Sequence, residues 1–353
     1  MKKKRFKPLL VSALASFVAV PLVFEPLLVS AVYEAIFALT STNEEWMELS
    51  YADYGLEMER SDFSNEDNTI LAGYKYSKPN QKIKGVVVVA HGLGCGGHNM
   101  FIPYIDFFAS NGYLVFSYDV TGNGNSKSKT VEGLPQGVID LDYALRHVKE
   151  TEEYKDLPIF LFGHSWGAYS CGAVLNLHPD IKGAVIVSGF NKSDNLLLHQ
   201  AEARVGVFAK LGISSVSFYE SLKFGGEYAN LTAIDGFKNT TASILIVHSK
   251  DDATVPTKYG YDLFYNEFRT NNRFEFLLYD DLGHTDILYS QEAREYLNSL
   301  ENGYDDFLSA NGVEDSKEAR NEYMNKNADK KQCFLPNPDI ANSALNMFDT
   351  VIK

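Results

Sequence analysis

Ile159-Phe160-Leu161-Phe162-Gly163-His164-Ser165-Trp166-Gly167-Ala168 is the stretch on which the fold of this 353-residue chain turns. Its four leading apolar residues do not alternate with polar ones, so they read as a strand covered on both faces. From Ala168 to Leu177 the apolar residues recur at helical spacing instead. Between strand and helix, Gly163 to Gly167 spell G-x-S-x-G, a sharp turn that lifts a serine hydroxyl above the end of a sheet. Glycines are needed two residues on either side of the serine, because a side chain there would collide with the neighbouring strand and helix. At ordinary glycine and serine frequencies the pattern alone occurs in roughly one chain of this length in ten, so the strand before it and the helix after it carry the reading.

Working outward, extended apolar runs alternate with helical ones. Strands are expected over Leu56–Phe63, Thr69–Tyr76, Gly85–Ala90, Tyr113–Tyr118, Ile159–Phe162, Ala184–Ser188, Ile244–His248 and Phe274–Tyr279, with helices over Met100–Ser110, Gln136–Glu150 and Ala168–Leu177. A helix between successive strands implies a mostly parallel α/β sheet of about eight strands with helices on both faces and a hairpin at one edge. Between Ser188 and Ile244 lie about fifty residues, far more than a crossover requires. Residues 191–241 are therefore read as a helical lid inserted into a core made of residues 41–190 and 242–353.

A serine hydroxyl is a weak nucleophile until a base takes its proton, and the base needs an acid to hold its tautomer. On a sheet of this type the expected chain order is serine, acid, histidine. The strand Ile244–His248 runs into Asp251-Asp252, and the strand Phe274–Tyr279 runs into His284, so an acid and a histidine each sit just past the carboxyl end of a strand. His164 reads as a packing residue of the turn, and His248 lies too far inside its strand. After Gly85–Ala90 comes His91-Gly92-Leu93-Gly94, a tight turn from which the Leu93 amide joins the Trp166 amide in facing a developing oxyanion.

Gly92, Gly94 and Gly97 also spell G-x-G-x-x-G after a strand, with Asp119 ending the next one, which is the outline of a dinucleotide site. That reading accounts for the glycines but leaves the serine turn and both strand exits as coincidences. No metal-ligand pattern is present in the sequence, and hydrolysis through a serine requires no cofactor.

The N-terminus reports on compartment. Lys2, Lys3, Lys4, Arg5 and Lys7 precede an uncharged apolar run from Leu9 to Phe24, then Glu25-Pro26 and a second apolar stretch reaching Leu39 and broken only by Glu34. Residues 1–40 are read as a hydrophobic helix serving as membrane anchor or as a signal peptide, with Val29-Ser30-Ala31 offering small residues for cleavage. Either way the catalytic body lies outside the cytoplasm, held at the cell membrane or secreted. The net charge of -14 argues against nucleic-acid phosphates as partners. Cys95, Cys171 and Cys333 are too scattered for a disulfide framework. Oligomeric state is not legible.

These motifs, together with the Asp119-Val120-Thr121-Gly122-Asn123-Gly124-Asn125-Ser126 turn, resemble those of the α/β-hydrolase superfamily. Within it the likeness is to serine hydrolases of the monoglyceride lipase, lysophospholipase and serine aminopeptidase-like group, over roughly residues 50–300. The resemblance implies Ser165 as nucleophile, His284 as general base and then acid, Asp252 as the orienting carboxylate and the Leu93 and Trp166 amides as oxyanion hole. Asp252 is preferred to Asp251 because His248, Asp252, Val255 and Pro256 match the family's H-G-x-x-D-x-x-V-P pattern, although Ser249 stands where that pattern has glycine. The implied reaction is hydrolysis of a small-molecule or lipid acyl ester through an acyl-enzyme. The alternatives are a peptidase or amidase on the same residues, or a ligand-binding protein that keeps the fold. Apolar residues of the insert, among them Leu196–Leu198, Phe218, Leu222 and Phe224, suit either an acyl chain or packing of the insert on the core.

Overall fold

The structure, a computed structural model, describes residues 27–38, 45–65 and 68–352. Its strands are β1 (Glu57–Arg60), β2 (Phe63–Ser64), β3 (Ile70–Leu71), β4 (Gly73–Ser77), β5 (Val86–Ala90), β6 (Leu114–Tyr118), β7 (Ile159–His164), β8 (Gly183–Val187), β9 (Ser243–Ser249) and β10 (Phe274–Tyr279). Eight of them form one sheet in the order β1-β4-β6-β5-β7-β8-β9-β10. From β6 to β10 the strands are parallel, while β1 and β4 run antiparallel at one edge. The first expected strand, Leu56–Phe63, is interrupted. β1 ends at Arg60, and Phe63 turns away to pair with Leu71 in a separate two-stranded ribbon.

The helices are α1 (27–37), α2 (Ile102–Ser110), α3 (Leu134–Glu150), α4 (Trp166–Val174), α5 (Ser193–Val205), α6 (Ala209–Phe224), α7 (Gly226–Ala229), α8 (Ala233–Asn239), α9 (Tyr261–Phe268), α10 (Gln291–Asn311), α11 (Lys317–Asn327), α12 (Lys330–Cys333) and α13 (Pro338–Ile352). Strand β5 shows why the central runs do not alternate. Val86, Val88 and Ala90 enter the core shared with α3 and α4, while Val87 and Val89 enter the core shared with α2 and the C-terminal helices. Both faces are dry, so every position is apolar.

Helices α5 to α8 occupy the long connection between β8 and β9. Phe224 is buried and Leu196 and Leu197 pack on the core, whereas Phe218 and Leu222 are 60% and 68% exposed. The apolar residues of this segment thus divide between packing and an outward face.

The run from Leu9 to Phe24 lies outside the described residues, and among those described no helix is long and apolar enough to cross a membrane. The second apolar stretch contains α1, which packs against the body. Tyr33 and Phe37 are buried, and the Tyr33 hydroxyl donates to Glu220 of α6 at 2.8 Å. The Glu34 carboxylate accepts from Tyr219 and Lys223 of the same helix. Val29-Ser30-Ala31 therefore lies within a helix docked on the body of the protein.

Candidate active site

The serine turn is strained in the way its sequence requires. Ser165 has φ 55 and ψ −118, a conformation that non-glycine residues rarely adopt. It persists because its surroundings over-determine it. The Ser165 amide donates to Val187 O of β8 at 2.8 Å, and its carbonyl accepts the Tyr169 amide of α4 at 3.0 Å. A Cβ on Gly163 would lie 2.5 Å from Gly167 O, and one on Gly167 would lie 2.1 Å from Ala90 O. Both approaches involve backbone, which cannot swing aside as a side chain does. The helix begins at Trp166, two residues earlier than its periodicity suggested, so the Trp166 amide is in the first turn and has no intrahelical acceptor.

Ser165, His284 and Asp252 come together. His284 Nε2 lies 2.8 Å from Ser165 Oγ, and His284 Nδ1 lies 2.7 Å from Asp252 Oδ2. The Asp252 side chain is wholly buried. Burial alone would raise its pKa, but hydrogen bonds from His248, His284 and the Val255 amide hold it well below the usual carboxylate range. As a carboxylate it only accepts, so His284 keeps its proton on Nδ1 and offers the bare Nε2 to the serine hydroxyl. The second oxygen, Oδ1, accepts the amides of Thr254 at 2.9 Å and Val255 at 2.8 Å.

The neighbouring Asp251 is exposed and has another task. Its Oδ1 accepts the Ser249 hydroxyl at 2.5 Å and the Gly283 amide at 2.9 Å, and Ser249 Oγ accepts the Leu282 amide at 2.9 Å. Ser249, the departure from the family's glycine, thus ties the loop bearing Asp252 to the loop bearing His284. His248, set aside in the sequence because it lies inside β9, reaches Asp252 after all. Its Nε2 is 3.4 Å from Asp252 Oδ2 and 2.8 Å from Val255 O. The spacing of four residues was the available signal, since the loop after β9 folds back over the strand end.

His164 packs as expected. Its Nε2 lies 2.8 Å from His284 O, supporting the histidine loop from beneath, and burial together with the nearby His284 lowers its pKa to about 3. His91 accepts the Val120 amide on Nε2 at 3.0 Å and its Nδ1 lies 2.9 Å from Gly92 O, which braces the turn carrying Leu93. Leu93 lines the cavity that holds Ser165 and His284, together with Gly92, Gly94, Cys95 and His164. The cavity measures about 310 Å³, and Met47, Met100 and Thr285 complete it. None of those three carries a motif that sequence reading would detect. Burial pushes the Cys95 thiol up to about 12, consistent with a small neutral filler.

Of the three glycines of the dinucleotide-like pattern, Gly97 is the one packed against Asp119. A Cβ on Gly97, at φ +137, would lie 2.5 Å from Asp119 Oδ1. That oxygen accepts the His98 amide at 3.0 Å and faces His98 Nδ1 at 2.8 Å, while Oδ2 accepts the Asn125 amide at 2.8 Å and the Tyr74 hydroxyl at 3.0 Å. With both oxygens occupied by the chain, the carboxylate has no capacity left for a ribose.

An eight-stranded, mostly parallel sheet with a serine at a strand-turn-helix corner, facing a histidine and an acid at later strand exits, defines the α/β-hydrolase fold. Residues 81–215 match the family model described as "Serine aminopeptidase, S33". That span contains Leu93 and Ser165 but neither Asp252 nor His284. The chain is 33% identical over 119 residues to caffeoylshikimate esterase of Arabidopsis thaliana, covering 33% of this chain and 36% of that one. It is 31% identical over 120 residues to monoglyceride lipase of Rattus norvegicus, covering 32% and 38%. The matches thus span little more than a third of these curated relatives' lengths. A solved esterase of Pyrococcus furiosus superposes with a TM-score of 0.54 at 18% identity, over 77% of this chain and 98% of that one. The protein is thus an α/β-hydrolase-fold chain resembling the monoglyceride lipase, lysophospholipase and serine aminopeptidase-like serine hydrolases.

Proposed function

We propose that the protein hydrolyses carboxylic esters through an acyl-enzyme on Ser165. The observation that carries this reading is the continuous hydrogen-bonded line from Ser165 Oγ through His284 to the buried Asp252, with Ser165 held at φ 55. In the first step His284 Nε2 takes the hydroxyl proton as Ser165 Oγ attacks the ester carbonyl. The amides of Leu93 and Trp166 receive the negative oxygen, a contribution of about 3 kcal/mol for each well-placed donor. His284 then passes its proton to the leaving alcohol as the carbon–oxygen bond breaks. Water, deprotonated by the same nitrogen, releases the acid and restores Ser165.

The named relatives, an esterase and a lipase, support ester over amide. The peptidase reading uses the same residues and differs in the leaving group; the family description supports it. Turnover of p-nitrophenyl esters and of aminoacyl anilides, with fluorophosphonate labelling of wild type and Ser165→Ala, tests the proposal. Ester hydrolysis that survives Ser165→Ala overturns it, and anilide turnover above that of matched esters replaces it with the peptidase.

Residues 191–241 act in this reading as a cap over the site, and residues 1–40 as an uncleaved anchor that places the catalytic body outside the cytoplasm. Docking of α1 through Tyr33 and Phe37 supports the anchor over the signal peptide, since cleavage after Ala31 would divide that helix. N-terminal sequencing of the chain recovered from membranes checks this; a mature protein starting at Val32 would refute it.

A further inference from the structure

The cavity at Ser165 takes its apolar wall from Met47, Leu93, Cys95 and Met100, and none of these belongs to the insert 191–241. At about 310 Å³ it is at the small end of ligand pockets, which run from roughly 300 to 1,000 Å³. Met47 belongs to a single helical turn, Glu45–Met47, that precedes the whole sheet. Such a short segment holds one geometry only if it is fastened, and it is fastened on both sides. The Trp46 side chain is buried and stacks on Phe334 with ring centroids 5.8 Å apart. The Trp46 amide donates to Asn321 of α11 at 3.4 Å. Three residues on, the Leu49 amide donates to Asn99 Oδ1 and the Leu49 carbonyl accepts from Asn99 Nδ2, both at 2.6 Å. Asn99 directly precedes Met100, so the same amide side chain sets both methionines of the wall in register.

We propose that Met47 is a specificity-determining residue of this hydrolase, limiting the substrate group seated beside Ser165 to a compact apolar one. Helix α11, through Asn321, and Phe334 at the end of α12 are the buttress that keeps Met47 in place. The outward-facing Phe218 and Leu222 of the insert take no part in this selection. The inference rests on the ester-hydrolase reading and adds to it the size and character of the substrate.

The test uses the full chain and two ester series: p-nitrophenyl esters with acyl groups from acetyl to dodecanoyl, and acetate esters with alcohols of matching length. Wild type, Met47→Ala, Met47→Phe and Phe218→Ala are compared, with labelling by a methyl-sized fluorophosphonate to establish that Ser165 is intact in each. Wild type is expected to favour acetyl to butanoyl in the series that reads the cavity. Met47→Ala is expected to raise kcat/KM for hexanoyl relative to acetyl by roughly 10-fold, and Met47→Phe to lower that ratio by a similar factor. The series that responds identifies the seated group as acyl or alcohol. The inference is overturned if fully labelled Met47 variants keep the wild-type profile, if wild type prefers dodecanoyl, or if Phe218→Ala moves the profile instead. Absence of labelling and of turnover in wild type overturns the hydrolase reading itself, and this inference with it.

Discussion

His284 Nδ1 lies 2.7 Å from Asp252 Oδ2, while the other Asp252 oxygen is already bound by two main-chain amides. The carboxylate is therefore fixed in rotation. In Asp252→Asn the amide NH2 would have to face His284, since Oδ1 must go on accepting from Thr254 and Val255. His284 would then carry its proton on Nε2 and lose the ability to accept from Ser165. Steady-state assays are expected to show kcat reduced by roughly 10⁴-fold with little change in folding. Asp251→Asn, whose neighbour still orients His284, should lose less than about 10-fold.

Ser249 joins the two loops that carry Asp252 and His284 through Leu282 and Asp251. Ser249→Ala removes the acceptor for a main-chain amide in a buried place and should cost about 1–3 kcal/mol of stability. Denaturant unfolding measures this directly. A midpoint unchanged from wild type would mean the loops are held together elsewhere.

The glycines flanking Ser165 differ sharply from Gly94 in what surrounds them. Gly167→Ala would place a methyl 2.1 Å from Ala90 O, so several kcal/mol, at least about 3, should be lost or the chain should fail to accumulate folded. Gly94→Ala meets no atom within 4 Å and bears only the strain of φ +84, about 1–2 kcal/mol. Comparing urea midpoints of the two variants tests the distinction.

Glu220 accepts from both Tyr33 of α1 and Ser193 of α5, and burial is the main reason its pKa rises to about 7. Because the folded value exceeds the unfolded one near 4.5, the folded state holds the proton more tightly. Stability from this group is complete below about pH 4.5 and falls as pH rises to 7, by up to about 3 kcal/mol. Glu220→Gln keeps the acceptor oxygen and removes the titration. Between pH 5 and 8 its melting temperature should therefore decline less than that of wild type.

What the sequence by itself determined is what local chemistry determines. The strand at Ile159, the turn at Ser165 and the helix after it were legible because periodicity and glycine sterics act within a few residues. Asp119 was legible as the start of the Asp119–Ser126 turn and as the acid of a glycine pattern that imitated a nucleotide site, but its saturation by His98, Tyr74 and Asn125 was not, since it depends on how separate elements meet. Adjacent aspartates at 251 and 252 differ only in which way a loop turns, so the long-range contacts of Ser249 and Gly283 decided which one faces His284. Met47 lies 118 residues before Ser165 and reaches the same cavity because Asn99, Asn321 and Phe334 bring it there. The second apolar stretch showed no division of its apolar residues along the chain. Only its packing separated Tyr33 and Phe37, buried against the body, from Leu28, Val32 and Ile36, which face outward, because burial is a property of the partner surface and not of the residue alone.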